Sequence, residues 1–100
     1  MNGSLYEVFM APSAHKRFKK FELPLQKKIK EEVQKLATDP HSCEELKGPL
    51  KNIRSWHFDY CKTQYRIAFQ VVEDKKQVEI VLVNKRDNFY QILGRIIKAG

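Results

Sequence analysis

The sequence is poor in the features that mark several large classes of protein. It has only two cysteines, Cys43 and Cys61, without a CxxC or other metal-ligand spacing. This scarcity predicts free thiols, a reducing compartment and no bound metal or other cofactor, with a Cys43–Cys61 disulfide as the less favoured alternative. No apolar run approaches the ~20 residues that cross a bilayer. The chain also opens without the basic-then-apolar layout of a signal peptide, so we expect a cytoplasmic protein without a membrane segment.

Acidic residues are scarce relative to basic ones. The chain has 12 Asp and Glu against 19 Lys and Arg, which gives a formal net charge of +7 and a pI near 9.5. Such a balance favours binding to polyanions or to an acidic protein partner. The length of 100 residues, with 42% hydrophobic residues, predicts a single domain spanning residues 1–100 around one small core.

The first half of the chain predicts one strand followed by two helices. Residues 5–10 form a short apolar run that is typical of a strand. A basic helix is expected over residues 14–21, and Pro24 then opens a second helix that ends at Asp39-Pro40. In that second helix an apolar stripe at steps of four, four and three predicts one buried face, and it consists of Leu25, Ile29, Val33 and Leu36.

The second half predicts three strands and a closing helix. Residues 41–51 form a loop, and strands are expected over 53–60, 65–72 and 78–84, joined by turns at 61–64 and 73–76. The last helix covers 88–98, with Tyr90, Leu93 and Ile97 at helical spacing. The order β-α-α-β-β-β-α predicts an α+β fold, a small and mainly antiparallel sheet with a helical hairpin packed on one face.

Two arginines and a tyrosine stand out at the ends of the last two strands. Arg66 lies within Tyr65-Arg66-Ile67-Ala68-Phe69, Arg86 ends the apolar strand, and Tyr90 follows four residues later. A guanidinium suits phosphate because it donates two parallel hydrogen bonds. The alternatives are ion pairs, of Arg66 with Glu79 and of Arg86 with Asp87. For Tyr90 the alternative is a place in the core, since it shares the helical stripe of Leu93.

Several short motifs, taken in order, resemble the RelE/ParE superfamily of toxins from toxin–antitoxin systems. The resemblance covers nearly the whole chain, and its further motifs are the Tyr6-Glu7-Val8 strand, the helical pair ending in Asp39-Pro40, Leu46-Lys47-Gly48-Pro49-Leu50, and Lys85-Arg86 with Tyr90. It implies the same α+β fold. It also implies one of two activities, because RelE-type members cut messenger RNA in the ribosomal A site and ParE-type members inhibit DNA gyrase.

The resemblance favours the RelE-type activity and implies roles for particular residues. Arg66, Arg86 and Tyr90 are similar to the RelE-type catalytic set. On the strand predicted over residues 53–60 the chain departs from that pattern. RelE has a pair of lysines at alternate positions there, whereas this chain has Arg54-Ser55-Trp56-His57-Phe58. Metal-independent RNA cleavage requires a base for the 2′-OH, stabilisation of charge on phosphorus and an acid for the leaving oxygen. Either His57 or Tyr90 could transfer protons, and either Arg54 or His57 could face the site.

Other basic residues could contact RNA, and the resemblance also implies partners. The predicted RNA-binding residues could equally be part of a solvated loop, and they are Lys47, Lys51, Arg54, Lys62 and Lys85. Trp56 could stack on a base, although a strand tryptophan is more often part of the core. The expected partners are mRNA, the ribosome and a cognate antitoxin whose acidic or amphipathic segment forms a hetero-oligomer with the toxin. The alternative function is a ParE-like gyrase inhibitor without nuclease activity.

Overall fold

The computed structural model describes residues 6–46, 48 and 52–99. Within these residues, one five-stranded sheet carries three α-helices, and this confirms the predicted α+β fold. The strands are β1 Glu7–Met10, β2 Glu44–Glu45, β3 Arg54–Tyr60, β4 Thr63–Val72 and β5 Gln77–Lys85. The helices are α1 Pro12–Phe18, α2 Leu23–Thr38 and α3 Phe89–Ala99.

The strands lie in the order β1-β5-β4-β3-β2. β1 runs parallel to β5, while the pairs β2–β3, β3–β4 and β4–β5 are antiparallel. The sheet is therefore mainly antiparallel, as predicted. β4 occupies its centre, and β1 and β2 form its two edges.

The helical hairpin of α1 and α2 covers one face of the sheet, which we call the hairpin face. The predicted stripe of α2 is buried there, and Ile29 and Leu36 are fully inaccessible. They pack on Ile67 and Phe69 of β4 and on Ile80 of β5. Each such side chain contributes roughly 1.5–3 kcal/mol through removal from water. The hairpin therefore holds the central strands by burial of a continuous apolar layer.

Helix α3 covers part of the opposite face, which we call the α3 face. Phe89 and Leu93 are fully buried against Ala68 and Leu82. Tyr90 is 41% exposed, so of the two alternatives for this residue the place in the core is excluded. A rotation of about 100° per residue separates Phe89 from Tyr90 around the helix, and the packing selects the more apolar of the two.

Strand β5 is apolar on both faces and contains a β-bulge. Ala68 pairs with Leu82 and Phe69 with Ile80, which leaves Val81 as an extra residue on β5. Val81 and Leu82 both belong to the α3-face cluster, while Ile80 belongs to the hairpin face. β5 is thus an interior strand covered on both sides, as its sequence predicted.

The β3–β4 connection is tighter than the predicted turn over residues 61–64. Tyr60 pairs with Thr63, so only Cys61 and Lys62 form the turn, and both have positive φ (+50° and +64°). This is the pattern of a type I′ hairpin turn, which usually contains Asn-Gly. Because Cys-Lys carries no such signal, the two extra residues of β4 could not be recognised from sequence.

The segment predicted as a loop over residues 41–51 contains regular structure. A short 3₁₀ helix, Pro40–Ser42, leads into the two-residue strand β2. Cys43 is buried between them, whereas Cys61 is exposed, and both thiols are free. Lys47 and residues 49–51 lie outside the described residues. In the part of the chain that the structure describes, no helix is long and apolar enough to cross a membrane.

A buried carboxylate connects α2 to β3. Glu32 is 4% exposed and accepts a hydrogen bond of 2.9 Å from Nε1 of Trp56. Lys28 and Lys35 each approach the same carboxylate to 3.0 Å. Burial by itself raises the pKa of Glu32, but the hydrogen bonds from Lys28, Trp56 and Lys35 outweigh it and leave the pKa below its ordinary value. Trp56 therefore has the structural role that the sequence favoured.

Candidate active site

A row of polar side chains crosses the α3 face beside helix α3. His57 of β3 lies opposite Arg66 of β4, which lies opposite Asn84 of β5. Directly opposed residues on neighbouring antiparallel strands have Cβ atoms about 4.5–5.5 Å apart and project to the same face. His57 is exposed, and Arg66 and Asn84 are half-buried. The sheet thus brings together a histidine and an arginine that are nine residues apart in sequence.

Arg66 is held against Tyr90 from α3. Its Nη1 donates a hydrogen bond of 2.8 Å to the Tyr90 hydroxyl, and its Cζ lies 5.5 Å from the centre of the Tyr90 ring. The Tyr90 ring contacts the buried ring of Phe89 edge-on, at 5.4 Å and 89°. Because Phe89 is anchored in the core, it places Tyr90 at the rim of the sheet. The ion pair with Glu79 is not formed, since Glu79 accepts instead from Gln70 at 2.6 Å.

Gln64 completes the positioning of Arg66. Its Oε1 accepts a hydrogen bond of 3.2 Å from Nη2 of Arg66. The Nε atom of Arg66 is buried and has no hydrogen-bond partner within the described residues. A guanidinium has five N–H groups, and Tyr90 and Gln64 occupy only two of them. The remaining Nη hydrogens are available to an anion at the surface.

Arg86 is positioned by the same glutamine through the backbone. The Arg86 N–H donates to the carbonyl oxygen of Gln64 at 3.0 Å, just beyond the end of β5. The Arg86 side chain is exposed and makes no hydrogen bond or ion pair with any described residue, Asp87 included. Gln64 thus anchors both arginines, one by its side chain and one by its main chain.

An open depression of about 350 Å³ lies next to Arg86. Two of the predicted RNA-binding lysines, Lys62 and Lys85, line it together with Arg86. Asp59 and Asp87 also line it, so its charge is mixed. The structure therefore brings Lys62, Lys85 and Arg86 together, and their contact with RNA stays a prediction.

Arg54 does not join this group. It pairs in register with Phe69 and therefore lies on the hairpin face, opposite to His57. Its Nη1 donates to the carbonyl oxygens of Cys43 at 2.7 Å and His41 at 3.2 Å. Arg54 thus supports the segment that leads into β2. Of the two alternatives on β3, His57 is the one that faces Arg66.

The arrangement has the chemical groups that phosphodiester cleavage requires. Arg66 and Arg86 can donate hydrogen bonds to a phosphate, and Tyr90 and His57 carry groups that transfer protons. The side chain of His57 makes no hydrogen bond or ion pair in the described part of the chain, so it is free to contact a ligand. Across residues 6–46, 48 and 52–99, no group of three or more His, Cys, Asp or Glu side chains could hold a metal ion.

Gln64 and Asn84 belong to the site although the sequence pattern predicts neither. That pattern predicts a turn at Gln64 and the end of a strand at Asn84. Both are single amides without a motif around them. Only the structure shows that they flank Arg66, because Asn84 pairs with Arg66 from β5 and the Gln64 side chain bonds to Arg66 within β4.

Several solved structures with a similar fold come from toxin–antitoxin pairs. E. coli RelE, as a double arginine mutant in the free state, gives a TM-score of 0.75 at 18% identity over 95% of this chain and 97% of that chain. The RelBE2 toxin–antitoxin complex from Mycobacterium tuberculosis gives 0.70 at 20% identity, over 81% of this chain and 98% of that chain. The archaeal RelE–RelB complex from Pyrococcus horikoshii gives 0.59 at 16% identity, over 83% and 97%. The fold is therefore that of the RelE toxins.

Sequence comparison defines the family. A protein of Methanocaldococcus jannaschii whose name describes it as a toxin, RelE4, is 28% identical over 90 residues, which cover 87% of this chain and 93% of that protein. Residues 8–93 match the family model for the ParE-like toxin of type II bacterial toxin–antitoxin systems. The chain belongs to this family, within the RelE/ParE superfamily.

Proposed function

We propose that this toxin is an endoribonuclease that cleaves messenger RNA on the ribosome without a metal ion and so arrests translation. The observation that carries the proposal is the exposed contact between Arg66 and Tyr90, with His57 across the strand and Arg86 at the end of β5. Structural likeness to the RelE toxins supports the same assignment. The net charge of +7 favours an RNA partner.

The proposed reaction uses the ribose next to the scissile phosphate. The 2′-oxygen attacks phosphorus, the bond from phosphorus to the 5′-oxygen breaks, and the products carry a 2′,3′-cyclic phosphate and a 5′-hydroxyl. Arg66 and Arg86 stabilise the charge that develops on the phosphate oxygens. His57 and Tyr90 take the proton from the 2′-OH and deliver one to the leaving oxygen, and the order of these two roles stays open.

The proposal includes an antitoxin partner. The similar solved structures include the RelBE2 toxin–antitoxin complex and the archaeal RelE–RelB complex. By analogy, a cognate antitoxin with an acidic or amphipathic segment would cover the basic surface around Arg66 and Arg86 and form a hetero-oligomer with the toxin.

The test is cleavage of a translated message in a cell-free extract, with the cut sites mapped by primer extension. Wild-type protein is expected to cut within the reading frame. Arg66→Ala should lower the cleavage rate about 100-fold or more, because one phosphate-stabilising group is lost. Arg95→Ala removes an exposed arginine of α3 that lacks a partner among the described residues, and it should cleave like wild type. Equal cleavage by the two variants would contradict the proposed site.

The family description names ParE, so gyrase inhibition is the competing function. A ParE-like inhibitor would block DNA supercoiling by purified gyrase and leave transcripts intact. We expect the opposite pattern, with cut transcripts and unchanged supercoiling. Intact transcripts together with blocked supercoiling would replace the nuclease assignment by the inhibitor.

A further inference from the structure

A second basic groove lies beside the proposed active site. β1 pairs with β5 only as far as Ile80, and α1 then crosses the outer edge of β5. Between α1 and the end of β5 is an open groove of about 440 Å³. The cations that line it come from the last turn of α1 and the residues after it, and they are Lys16, Arg17 and Lys20.

The charge of this groove is uncompensated. Among the residues that the structure describes, three cations and no carboxylate line it, whereas the depression at Arg86 also contains Asp59 and Asp87. Within the described residues, the side chains of Lys16, Arg17 and Lys20 form no ion pair or hydrogen bond. Convergent cations repel one another unless an anion lies between them. The groove is therefore suited to an anionic ligand.

The groove and the proposed active site share one residue. Asn84 lines the groove and also pairs in register with Arg66. Directly paired residues have Cβ atoms about 5 Å apart, so the edge of the groove adjoins the arginine that would hold the scissile phosphate. A strand of RNA leaving Arg66 over the edge of β5 would pass directly into the groove.

We propose that this groove binds a phosphate group of the same RNA strand, one flanking the phosphate held by Arg66 and Arg86. The inference rests on the proposed function and extends it by a second contact. Lys16 and Lys20 act as point charges, and Arg17 can donate two parallel hydrogen bonds to phosphate oxygens. The partly exposed ring of Phe21, which also lines the groove, provides an apolar wall for the adjoining nucleotide.

The experiment measures binding of the full chain to a short single-stranded RNA with a 2′-deoxy nucleotide at the cleavage site, which prevents cutting. The test variant combines Lys16→Ala, Arg17→Ala and Lys20→Ala. The matched control combines Lys27→Ala, Lys75→Ala and Lys98→Ala, which removes the same charge from exposed lysines elsewhere. Thermal melting of both variants verifies that they are folded.

The two variants should differ clearly in their affinity for RNA and in its salt dependence. The groove variant should raise the Kd at least about tenfold over the control, because charge-assisted contacts to a phosphate are lost. Its slope of log Kd against log salt should also fall by about 0.7 for each phosphate contact removed. Affinities and slopes that agree between the two variants would overturn the groove as an RNA subsite.

Two further outcomes are informative. A poly-glutamate peptide serves as a probe for an acidic protein partner. If the groove variant weakens peptide binding but leaves RNA binding equal to the control, the groove binds protein and the proposal fails. Wild-type protein that neither binds RNA nor cuts a translated message would contradict both the groove as an RNA subsite and the proposed function. If wild-type protein cuts the message and the groove variant binds RNA as the control does, only the groove proposal is contradicted.

Discussion

The hydroxyl of Tyr90 accepts a hydrogen bond of 2.8 Å from Arg66, and the Arg66 guanidinium also lies over the ring of the same tyrosine. Tyr90→Phe keeps the ring and removes only the hydroxyl. We expect kcat for message cleavage to fall about 100-fold or more if that hydroxyl transfers a proton. KM should change little, because the Arg66 guanidinium still contacts the aromatic ring at position 90. Steady-state cleavage on translating ribosomes measures both quantities.

Tyr90→Ala is the comparison for this experiment. It removes the ring as well, so Arg66 loses its cation–π contact and KM should rise in addition. A Tyr90→Phe variant that cleaves at the wild-type rate would show that Tyr90 only supports Arg66 and would leave proton transfer to His57.

Gln64 offers a test of how far the position of Arg66 matters. Gln64→Leu removes the acceptor for Nη2 of Arg66 but keeps the main-chain carbonyl that anchors Arg86. We expect cleavage to slow about tenfold, because a loosely held guanidinium is poorly aligned with the phosphate. Gln64→Glu keeps the acceptor but adds a negative charge that competes with the phosphate, so its activity should be lower still. Faster cleavage by the glutamate variant than by the leucine variant would contradict this role.

Glu32 should make folding stability depend on pH. The folded pKa of Glu32 lies below its ordinary value. A depressed carboxyl pKa stabilises the fold above the unfolded pKa, and that contribution is lost as the pH falls through the folded value. Glu32→Gln should therefore cost about 1 kcal/mol at pH 7, mainly through the lost pairs with Lys28 and Lys35.

Urea denaturation of both proteins at pH 7 and at pH 3 checks this prediction. The difference in the free energy of unfolding should shrink at pH 3, which lies below the ordinary pKa of a glutamate, because protons then bind more readily to the unfolded carboxyl than to the folded one. A difference that stays constant between the two pH values would mean that Glu32 stabilises the fold through its neutral hydrogen bonds alone.

Phe89 and Tyr90 are neighbours that should differ in their contribution to stability. Phe89 is fully buried, so Phe89→Ala should lower the free energy of unfolding by about 3–5 kcal/mol. Tyr90→Ala should have a much smaller effect, because Tyr90 is 41% exposed. Thermal and chemical denaturation measure the contrast. Similar losses for the two variants would show that α3 is not docked through Phe89.

Arg66 and Arg86 show how much of the candidate site the sequence predicts. Each interrupts or ends an apolar strand, and the structure places both at one end of the sheet, anchored by Gln64. Their roles in cleavage stay predictions. Lys47 and Lys51 lie outside the described residues, so their expected contact with RNA stays a prediction as well.

The sequence does not decide whether Arg54 or His57 faces the candidate site. Successive strand residues point to opposite faces, so a shift of one residue in register exchanges the two. The pairing of β3 with β4 decides that register, and the Cys61-Lys62 turn decides the pairing. Neither residue of that turn has a strong preference for positive φ, and the sequence therefore left both alternatives open.

The sequence by itself determined the order of the three α-helices and the four longer strands, the α+β class, the buried stripe of α2, the basic character and the motifs of the superfamily. These depend on local periodicity and composition, which a linear chain carries directly. Only the tertiary structure decided that Tyr90 lies outside the core and contacts Arg66. It also decided that His57 rather than Arg54 faces the candidate site, and that α1 and Asn84 form a groove next to that site. The physical reason is that these features depend on strand register and helix rotation. Contacts between residues distant in sequence set both, and no local pattern encodes them.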